Sequence, residues 1–166
     1  MFLERFYPDH EVESAYTIDY AGLYESGKRA IIFDIDNTLV PHGAPANDAA
    51  VALFSKLHEL GYGTLLLSNN KEPRVKPFCD AVSSKYIHKA GKPGRKAYEK
   101  AMELLGTTPD TTLFVGDQLF TDVWGAKKAG IVTYLVKPIH PKEEIQIVLK
   151  RRLEAIVLFF YHRKKK

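Results

Sequence analysis

The sequence has little of what secreted or membrane-spanning proteins need. Cys79 is the one cysteine in 166 residues, so no internal disulfide can form and the fold does not depend on an oxidising compartment. Its apolar surroundings favour a buried thiol over a reactive one. No apolar run reaches the roughly 20 residues of a spanning helix, and the N-terminal stretch, with early acids, does not resemble a secretory signal. These absences predict a cytoplasmic protein.

Internal repeats and low-complexity segments are also missing, apart from the final lysines. The apolar fraction of 45% and the charged fraction of 27% are ordinary for a globular protein, and the length suits one domain with a full core. We expect a core over about residues 29–140, an N-terminal extension (1–28), and a C-terminal helix with a basic tail (141–166).

The net charge of +4 is modest, but basic residues bracket an apolar run near the C-terminus. They are Arg151, Arg152, Arg163, Lys164, Lys165 and Lys166. Two interpretations stay open: a core-packing helix with a solvated tail, or a peripheral contact with an anionic membrane, where each basic residue contributes about 1 kcal/mol. No nucleic-acid-binding motif accompanies the tail, so a nucleic acid is the weaker partner.

Short apolar runs alternate with amphipathic segments along the chain. Strands are predicted at 30–33, 63–67, 85–88, 112–115 and 131–136, and helices at 47–60, 72–82, 95–105, 121–129 and 142–160. This alternation implies right-handed crossovers and a mainly parallel sheet with helices on both faces, a Rossmann-like three-layer α/β domain. Ligands of such sheets bind at the carboxyl ends of the strands, so polar residues directly after the strands are the functional candidates.

Two acids, Asp34 and Asp36, follow the first predicted strand. On an extended chain they point the same way, and both are ionised at neutral pH unless the site shifts their pKa values. Two like charges held close need a cation or a shared proton, so the pair predicts a hard metal such as Mg²⁺, acid–base chemistry, or both. The alternative is an Asx-rich turn, which explains Asn37 and Thr38 but not the two acids.

Further polar groups follow later strands. Ser68 and Asn69 follow the second strand and suit phosphoryl oxygens, although such residues are also ordinary loop formers. Lys92 lies between glycines just before a helix, a good place to hold an anion. Asp117 follows the fourth strand, and Asp122 comes five residues later, where it could simply cap a helix. Each signal alone is weak or moderate, but their order along the strands is informative.

In this combination the sequence resembles the haloacid dehalogenase-like phosphatases. Their Asp-x-Asp-x-Thr motif matches residues 34–38, their serine matches Ser68, their lysine matches Lys92-Pro93, and their Gly-Asp motif matches Gly116, Asp117 and Asp122. The resemblance covers about residues 29–136. It implies phosphatase chemistry, because the second acid of the first motif is characteristic of the phosphatases in this superfamily.

The resemblance also implies a role for each matched residue. Asp34 would be the nucleophile that forms an aspartyl phosphate, and Asp36 would be the general acid and then the general base. The other implied roles are Mg²⁺ coordination by Asp34, the Asp36 backbone carbonyl, Asp117 and Asp122, and phosphoryl binding by Ser68 and Lys92, to which we add the adjacent amide of Asn69.

The motif spacing implies a capless member of the family. About 30 residues separate the first and second motifs and about 20 the second and third, which leaves no room for a cap domain. An uncapped site is open to a bulky or surface-bound substrate, or to cover by a neighbouring subunit in a homo-oligomer. The loop at 41–47 is the expected local lid, in which His42 either touches substrate or is a plain loop residue.

Segments before and after the first motif narrow the resemblance. Residues 7–9, 16–19 and 39–41 resemble the small bacterial YqeG-type phosphatases, which are similar to phosphatidylglycerophosphate phosphatases. This implies a lipid phosphomonoester as a candidate substrate and docking at the inner face of an anionic membrane. The alternatives are a phosphatase of soluble sugar, nucleotide or protein phosphates, a phosphatase of nucleic-acid ends, and a non-catalytic binding module on the same fold.

Overall fold

Parallel strands form the central sheet of the computed structural model, which describes residues 2–140 and 145–166. In chain order they are β1 His10–Val12, β2 Ala30–Phe33, β3 Gly63–Leu67, β4 Lys85–Ile87, β5 Thr112–Gly116 and β6 Val132–Val136. Their order across the sheet is β1-β6-β5-β2-β3-β4, and each of these pairings is parallel. The predicted α/β fold class is confirmed.

Helices connect the strands and cover both faces of the sheet. Those of the described residues are α1 Tyr20–Glu25, α2 Asp48–Leu60, α3 Glu72–Val82, α4 Arg95–Leu105, α5 Trp124–Lys128 and α6 Ile145–Lys164. One helix fills the connection from β2 to β3, and one fills the connection from β3 to β4, so neither connection holds a cap domain. Within the described ranges, no helix is long and apolar enough to cross a membrane.

The topology reverses between β2 and β5. From β2 the chain moves outward through β3 to β4, then returns to place β5 on the other side of β2. The helices that follow β2 and β5 therefore leave on opposite faces, and their connecting loops separate at the carboxyl edge. This is the switch point at which open α/β sheets bind ligands, and Asp34 and Asp117 are the first residues after these two strands.

The core lies on both faces of the sheet because successive strand residues point to opposite sides. Phe33 packs with Phe54 of α2 in one cluster, whereas Ile32 packs with Tyr98 of α4 in the other. This explains why β2 is a continuous apolar run without alternation. Cys79 is buried in the first cluster, as predicted, and burial raises the pKa of its thiol to about 12.

The N-terminal residues supply elements that the sequence pattern did not predict. β1 adds an edge strand beside β6, with His10 opposite Tyr134. It has three residues, of which none is fully buried, so it lacks the apolar signal of a core strand. Phe6 and Tyr7 pack against Val157 and other residues of α6. The segment at 2–28 thus packs on the core, where it contacts both the central sheet and the C-terminal helix.

Two helix boundaries also differ from prediction. A π-helical turn at Leu119–Val123 precedes α5, where a single helix from 121 to 129 was expected. Such wide turns often occur at functional sites, and this one carries Asp122. At the C-terminus the predicted start of the last helix at 142 lies outside the described residues, and α6 continues to Lys164 instead of stopping at 160.

Candidate active site

The loop after β2 holds the first pair of acids in a fixed conformation. The Asp34 amide donates to the Val115 carbonyl at 3.0 Å, which extends the β2–β5 pairing by one residue. Asn37 then adopts a left-handed conformation with φ of 60°, and its amide donates to the Val40 carbonyl at 2.7 Å. Asparagine tolerates this conformation better than most residues. The turn therefore places Asp34 at the strand end and turns the chain back past Asp36.

Three carboxylates meet at the switch point. Asp34, Asp117 and Asp122 each bring one oxygen to within 4.8 Å of the others, and they are only 8%, 2% and 1% exposed. The Thr38 hydroxyl lies between two of them, 3.2 Å from Asp34 Oδ2 and 3.0 Å from Asp117 Oδ1. The structure thus brings together side chains that the sequence places up to 88 residues apart.

Lys92 is the buried cation of this cluster. Its Nζ donates to Asp34 Oδ1 at 2.8 Å and to Asp122 Oδ1 at 2.7 Å. Burial alone would lower the pKa of Lys92, but the Asp122 and Asp34 carboxylates outweigh it and raise that pKa well above its usual value. The two carboxylates therefore favour the charged form of the ammonium group.

The Asn69 side chain hydrogen-bonds to the backbone of Lys92 as well as lining the cleft. Its side-chain oxygen accepts from the Lys92 amide at 2.8 Å, and its side-chain nitrogen donates to the Lys92 carbonyl at 3.1 Å. Ser68 is 2% exposed, and its hydroxyl oxygen accepts from the Asn70 amide at 3.1 Å. Ser68 and Asn69 both line the same cleft as Asp34, and their phosphoryl contacts stay a prediction.

The carboxylate cluster fits a hard divalent cation. Burial, followed by repulsion from Asp34, raises the pKa of Asp122 to about 6, although Lys92 opposes the rise. Burial and the Asp34 and Asp122 charges likewise raise the pKa of Asp117 well above its usual range, with Arg151 opposing. Lys92 and Arg151 bring two positive charges to the three buried carboxylates, and Arg151 is shared with Glu154. Anionic oxygens in such a cluster are the ligands that Mg²⁺ prefers.

The raised pKa of Asp122 predicts an effect of pH on the stability of the protein. A folded-state pKa near 6 against 3.8 for the unfolded chain means that folded Asp122 still holds a proton over pH values at which the unfolded chain has lost it. The free energy of unfolding of the metal-free protein should therefore fall as the pH rises from about 4 to 7, by up to about 3 kcal/mol from this group. Urea denaturation across this range would measure it.

The Asp122→Asn variant is the control for this pH effect. It keeps the side-chain shape but cannot ionise, so its stability should depend less on pH than that of the wild type. Identical pH profiles for the two proteins would contradict the raised pKa of Asp122 in the folded protein.

The Asp36 side chain has partners of its own outside the carboxylate cluster. Its Oδ1 accepts from the Gly43 amide at 2.7 Å and from Arg74 Nη2 at 2.9 Å, and its Oδ2 accepts from Asn70 Nδ2 at 2.6 Å. The predicted metal contact of Asp36 uses its backbone carbonyl and stays a prediction. Three donors thus hold the carboxylate, which lines the same cleft as Asp34.

A cleft of about 200 Å³ opens above these groups. It is lined by Asp34, Asp36, His42, Ser68, Asn69, Asn70, Lys92, Gln118, Thr121 and Lys150. His42 reaches it from the 41–47 loop, and a contact of His42 with substrate stays a prediction. All predicted site residues line this cleft or belong to the buried cluster beneath it.

Sequence reasoning missed the contributions of two helices. Arg74 on α3 pairs with Asp36, and α6 brings Lys150 to the cleft and Arg151 to Asp117. Arg74 lies one turn into the helix that follows Ser68, so its position beside the cleft could have been inferred. The α6 residues carry no local signal, because their contacts depend on how a distant helix packs.

Comparison with known proteins agrees with this geometry. The profile of the haloacid dehalogenase-like hydrolase family matches residues 42–130. The chain is 33% identical to the Bacillus subtilis protein named "Probable phosphatase YqeG", over 99% of this chain and 96% of that protein. It is 27% identical to "Phosphatidylglycerophosphate phosphatase 1, chloroplastic/mitochondrial" of Arabidopsis thaliana, over 95% of this chain but only 48% of the plant protein.

The fold is also found among solved structures. A protein from Streptomyces avermitilis, provisionally assigned to the HAD hydrolase family, superposes with a TM-score of 0.53 at 18% identity, over 66% of this chain and 72% of that one. At this identity the likeness concerns the fold alone. Together with the profile match and the B. subtilis relative, it confirms the sequence resemblance: the chain belongs to the haloacid dehalogenase-like hydrolase family and is an enzyme of that family.

Proposed function

We propose that this protein is a Mg²⁺-dependent phosphomonoester hydrolase that works through an aspartyl phosphate on Asp34. The observation that carries the proposal is the pairing of Asp34 with Lys92 inside a buried carboxylate cluster at the switch point. An anionic nucleophile can approach a phosphate dianion only where cations offset both charges. The name of the B. subtilis relative supports the same reaction class.

The reaction would proceed in two displacements at phosphorus. In the first, an oxygen of Asp34 forms a bond to phosphorus while the bond to the alcohol oxygen breaks, and Asp36 gives its proton to that oxygen. In the second, Asp36 takes a proton from water, whose oxygen attacks phosphorus and releases Asp34 and inorganic phosphate. Asp34 and Asp36 both line the cleft, which suits this division of roles.

The remaining groups would bind the phosphoryl oxygens and the cation. Ser68, Asn69 and Lys92 would hold the phosphoryl group, while Asp34, the Asp36 carbonyl, Asp117 and Asp122 would hold Mg²⁺. Bound there, the cation would neutralise phosphoryl charge as it develops in the transition state.

We also propose a lipid phosphomonoester, such as phosphatidylglycerophosphate, as the substrate. The plant relative's name supports this class, and the cleft, without a cap domain over it, is open to a substrate held at a surface. Hydrolysis of phosphatidylglycerophosphate in detergent micelles should far exceed that of soluble sugar and nucleotide phosphates. Activity confined to soluble esters would overturn the lipid assignment but keep the mechanism.

Helix α6 offers a surface for reaching such a substrate at an anionic bilayer on the cytoplasmic side. Its buried face packs on the core through Glu154, Val157 and Tyr161. Its opposite face, the α6 stripe, exposes six apolar side chains at 38–58%: Val148, Leu149, Leu153, Ile156, Phe159 and Phe160. Exposed Arg152 and Arg163 lie on the same face of α6 as these apolar side chains, which combines the apolar and cationic character of interfacial helices.

The α6 stripe can be tested with one charged substitution. Leu153→Glu should weaken binding to vesicles rich in anionic phospholipid about tenfold or more, because burial of a leucine contributes about 1.5–3 kcal/mol. Leu104→Glu is the matched control, since Leu104 is 44% exposed on α4, away from the stripe. Vesicle sedimentation would measure both variants.

Two results would contradict membrane docking. One is equal vesicle binding by Leu153→Glu and wild type. The other is a stable dimer of the wild type that Leu153→Glu dissociates, since the stripe would then be an interface between copies of this chain.

A further inference from the structure

Helix α6 also contacts the carboxylate cluster, through side chains that lie outside the α6 stripe. The Arg151 guanidinium donates two hydrogen bonds to Asp117. Its Nη2 donates to Asp117 Oδ2, and its Nη1 donates to the Asp117 backbone carbonyl at 2.5 Å. Asp117 has a fully buried side chain, whereas the Arg151 side chain is 19% exposed. Arg151, which lies 34 positions further along the chain, therefore hydrogen-bonds to both the side chain and the backbone of Asp117.

Glu154, one turn further along α6, completes this connection. It is only 4% exposed, its Oε2 accepts from Arg151 Nη1 at 3.1 Å, and its Oε1 accepts from the Leu119 amide at 2.9 Å. Leu119 opens the wide turn that carries Asp122. The Arg151–Glu154 pair thus fixes α6 to both ends of the short segment that joins Asp117 to that turn.

The Asp117 carboxylate is held at both of its oxygens. Oδ2 faces Arg151, and Oδ1 accepts from the Thr38 hydroxyl, which also contacts Asp34. These contacts fix the plane of the carboxylate and turn Oδ1 toward Asp34. Groups that orient a metal ligand in this way commonly change metal affinity 10- to 100-fold when they are removed, an order of magnitude or two.

We propose that Arg151 is a positioning residue of the cation site, so that α6 is part of the metal centre as well as a surface helix. The inference rests on the proposed Mg²⁺ dependence and adds a residue that no family motif contains. Arg151 would act through Asp117, since it bonds to that residue and is not among the residues that line the cleft.

The charge of Arg151 does not reverse this expectation. A lone guanidinium beside a divalent cation would repel it, and its removal would then tighten Mg²⁺ binding. The Glu154 carboxylate lies against the guanidinium at 3.1 Å and offsets its charge. The orienting effect on Asp117 should therefore dominate over repulsion.

Mg²⁺ binding to the full-length protein, measured by calorimetry without substrate, tests the proposal. Arg151→Met, which keeps much of the apolar stem, should raise the Kd for Mg²⁺ about 10- to 100-fold. Arg151→Lys should fall between this variant and wild type, because one ammonium cannot reproduce the two-pronged contact. Arg152→Met is the matched control: it removes the same charge from the adjacent, exposed position and should leave the Kd unchanged.

Three results would overturn the proposal: no Mg²⁺ binding by wild type, unchanged or tighter binding by Arg151→Met, and an equal loss in Arg152→Met. Thermal melting without Mg²⁺ checks folding, and if Arg151→Met does not fold, the Kd of Arg151→Lys decides. A failure of the phosphatase proposal can be distinguished from a failure of the Arg151 proposal. If wild type hydrolyses no phosphomonoester but Arg151→Met still loses Mg²⁺ affinity, the cation site stands without that function.

Discussion

Asp34→Asn is expected to reduce phosphomonoester turnover roughly 10³-fold or more, a loss on the scale of removing a nucleophile elsewhere. The amide that replaces the carboxylate is a poor nucleophile toward phosphorus. It also removes the negative charge of one of the two carboxylates bonded to Lys92 and of one of the three acids of the cluster. Steady-state release of inorganic phosphate, with Mg²⁺ and with a chelator, measures the effect.

Asp110→Asn is the control for this substitution. It makes the same change, from carboxylate to amide, at an exposed position in the turn before β5 and away from the cleft. It should retain wild-type turnover. Substantial Mg²⁺-dependent activity in a folded Asp34→Asn protein would contradict the assignment of the nucleophile, and loss of a binding function without any activity in wild type would favour a non-catalytic module.

Asp36→Asn is expected to have the second largest effect, about 10² to 10⁴-fold on kcat/KM for an alkyl phosphate, which is the usual contribution of a general acid. The reason is that an alkoxide leaves poorly unless a proton reaches its oxygen as the bond breaks. The Gly43, Arg74 and Asn70 donors hold Asp36 as a carboxylate, the form that takes a proton from water in the second displacement, whereas the transfer to the alkoxide uses its protonated form. Rates with a series of alkyl phosphates measure the loss.

An aryl phosphate separates this role from a structural one. Its phenolate leaves without much help, so Asp36→Asn should form the aspartyl phosphate quickly and then hydrolyse it slowly, because the same residue activates water. The expected signature is a burst of released phenol followed by a slow steady state. Equal losses for alkyl and aryl phosphates, with no burst, would contradict the acid–base role of Asp36.

The sequence predicts the elements that position the chemistry because their signals are local. β2, β3 and β5 are short apolar runs that end directly in polar residues, and parallel strands bring such ends to one edge. Asp34, Ser68 and Asp117 lie at that edge as expected. The burial of Lys92 between two carboxylates could not be predicted from the sequence, since a lysine in a Gly-Pro loop is more often on the surface.

The contributions that were not predicted depend on distant packing. β1 is too short and too polar to read as a strand, and it forms because β6 offers an edge beside it. Arg151 and Glu154 read as surface charges on a basic helix, yet Glu154 is buried against the turn that opens at Leu119. Nothing in the pattern of α6 indicates which of its charges will face inward.

The most direct test of the account is the location of the covalent phosphoryl group. Asp36→Asn would be mixed with an aryl phosphate and Mg²⁺, reduced with borohydride to convert a phosphorylated aspartate to homoserine, digested, and sequenced by mass spectrometry. We predict homoserine at position 34 and at no other aspartate, with none formed when Mg²⁺ is chelated. Turnover without any modified aspartate, or modification at Asp117 or Asp122 instead, would contradict the proposed mechanism.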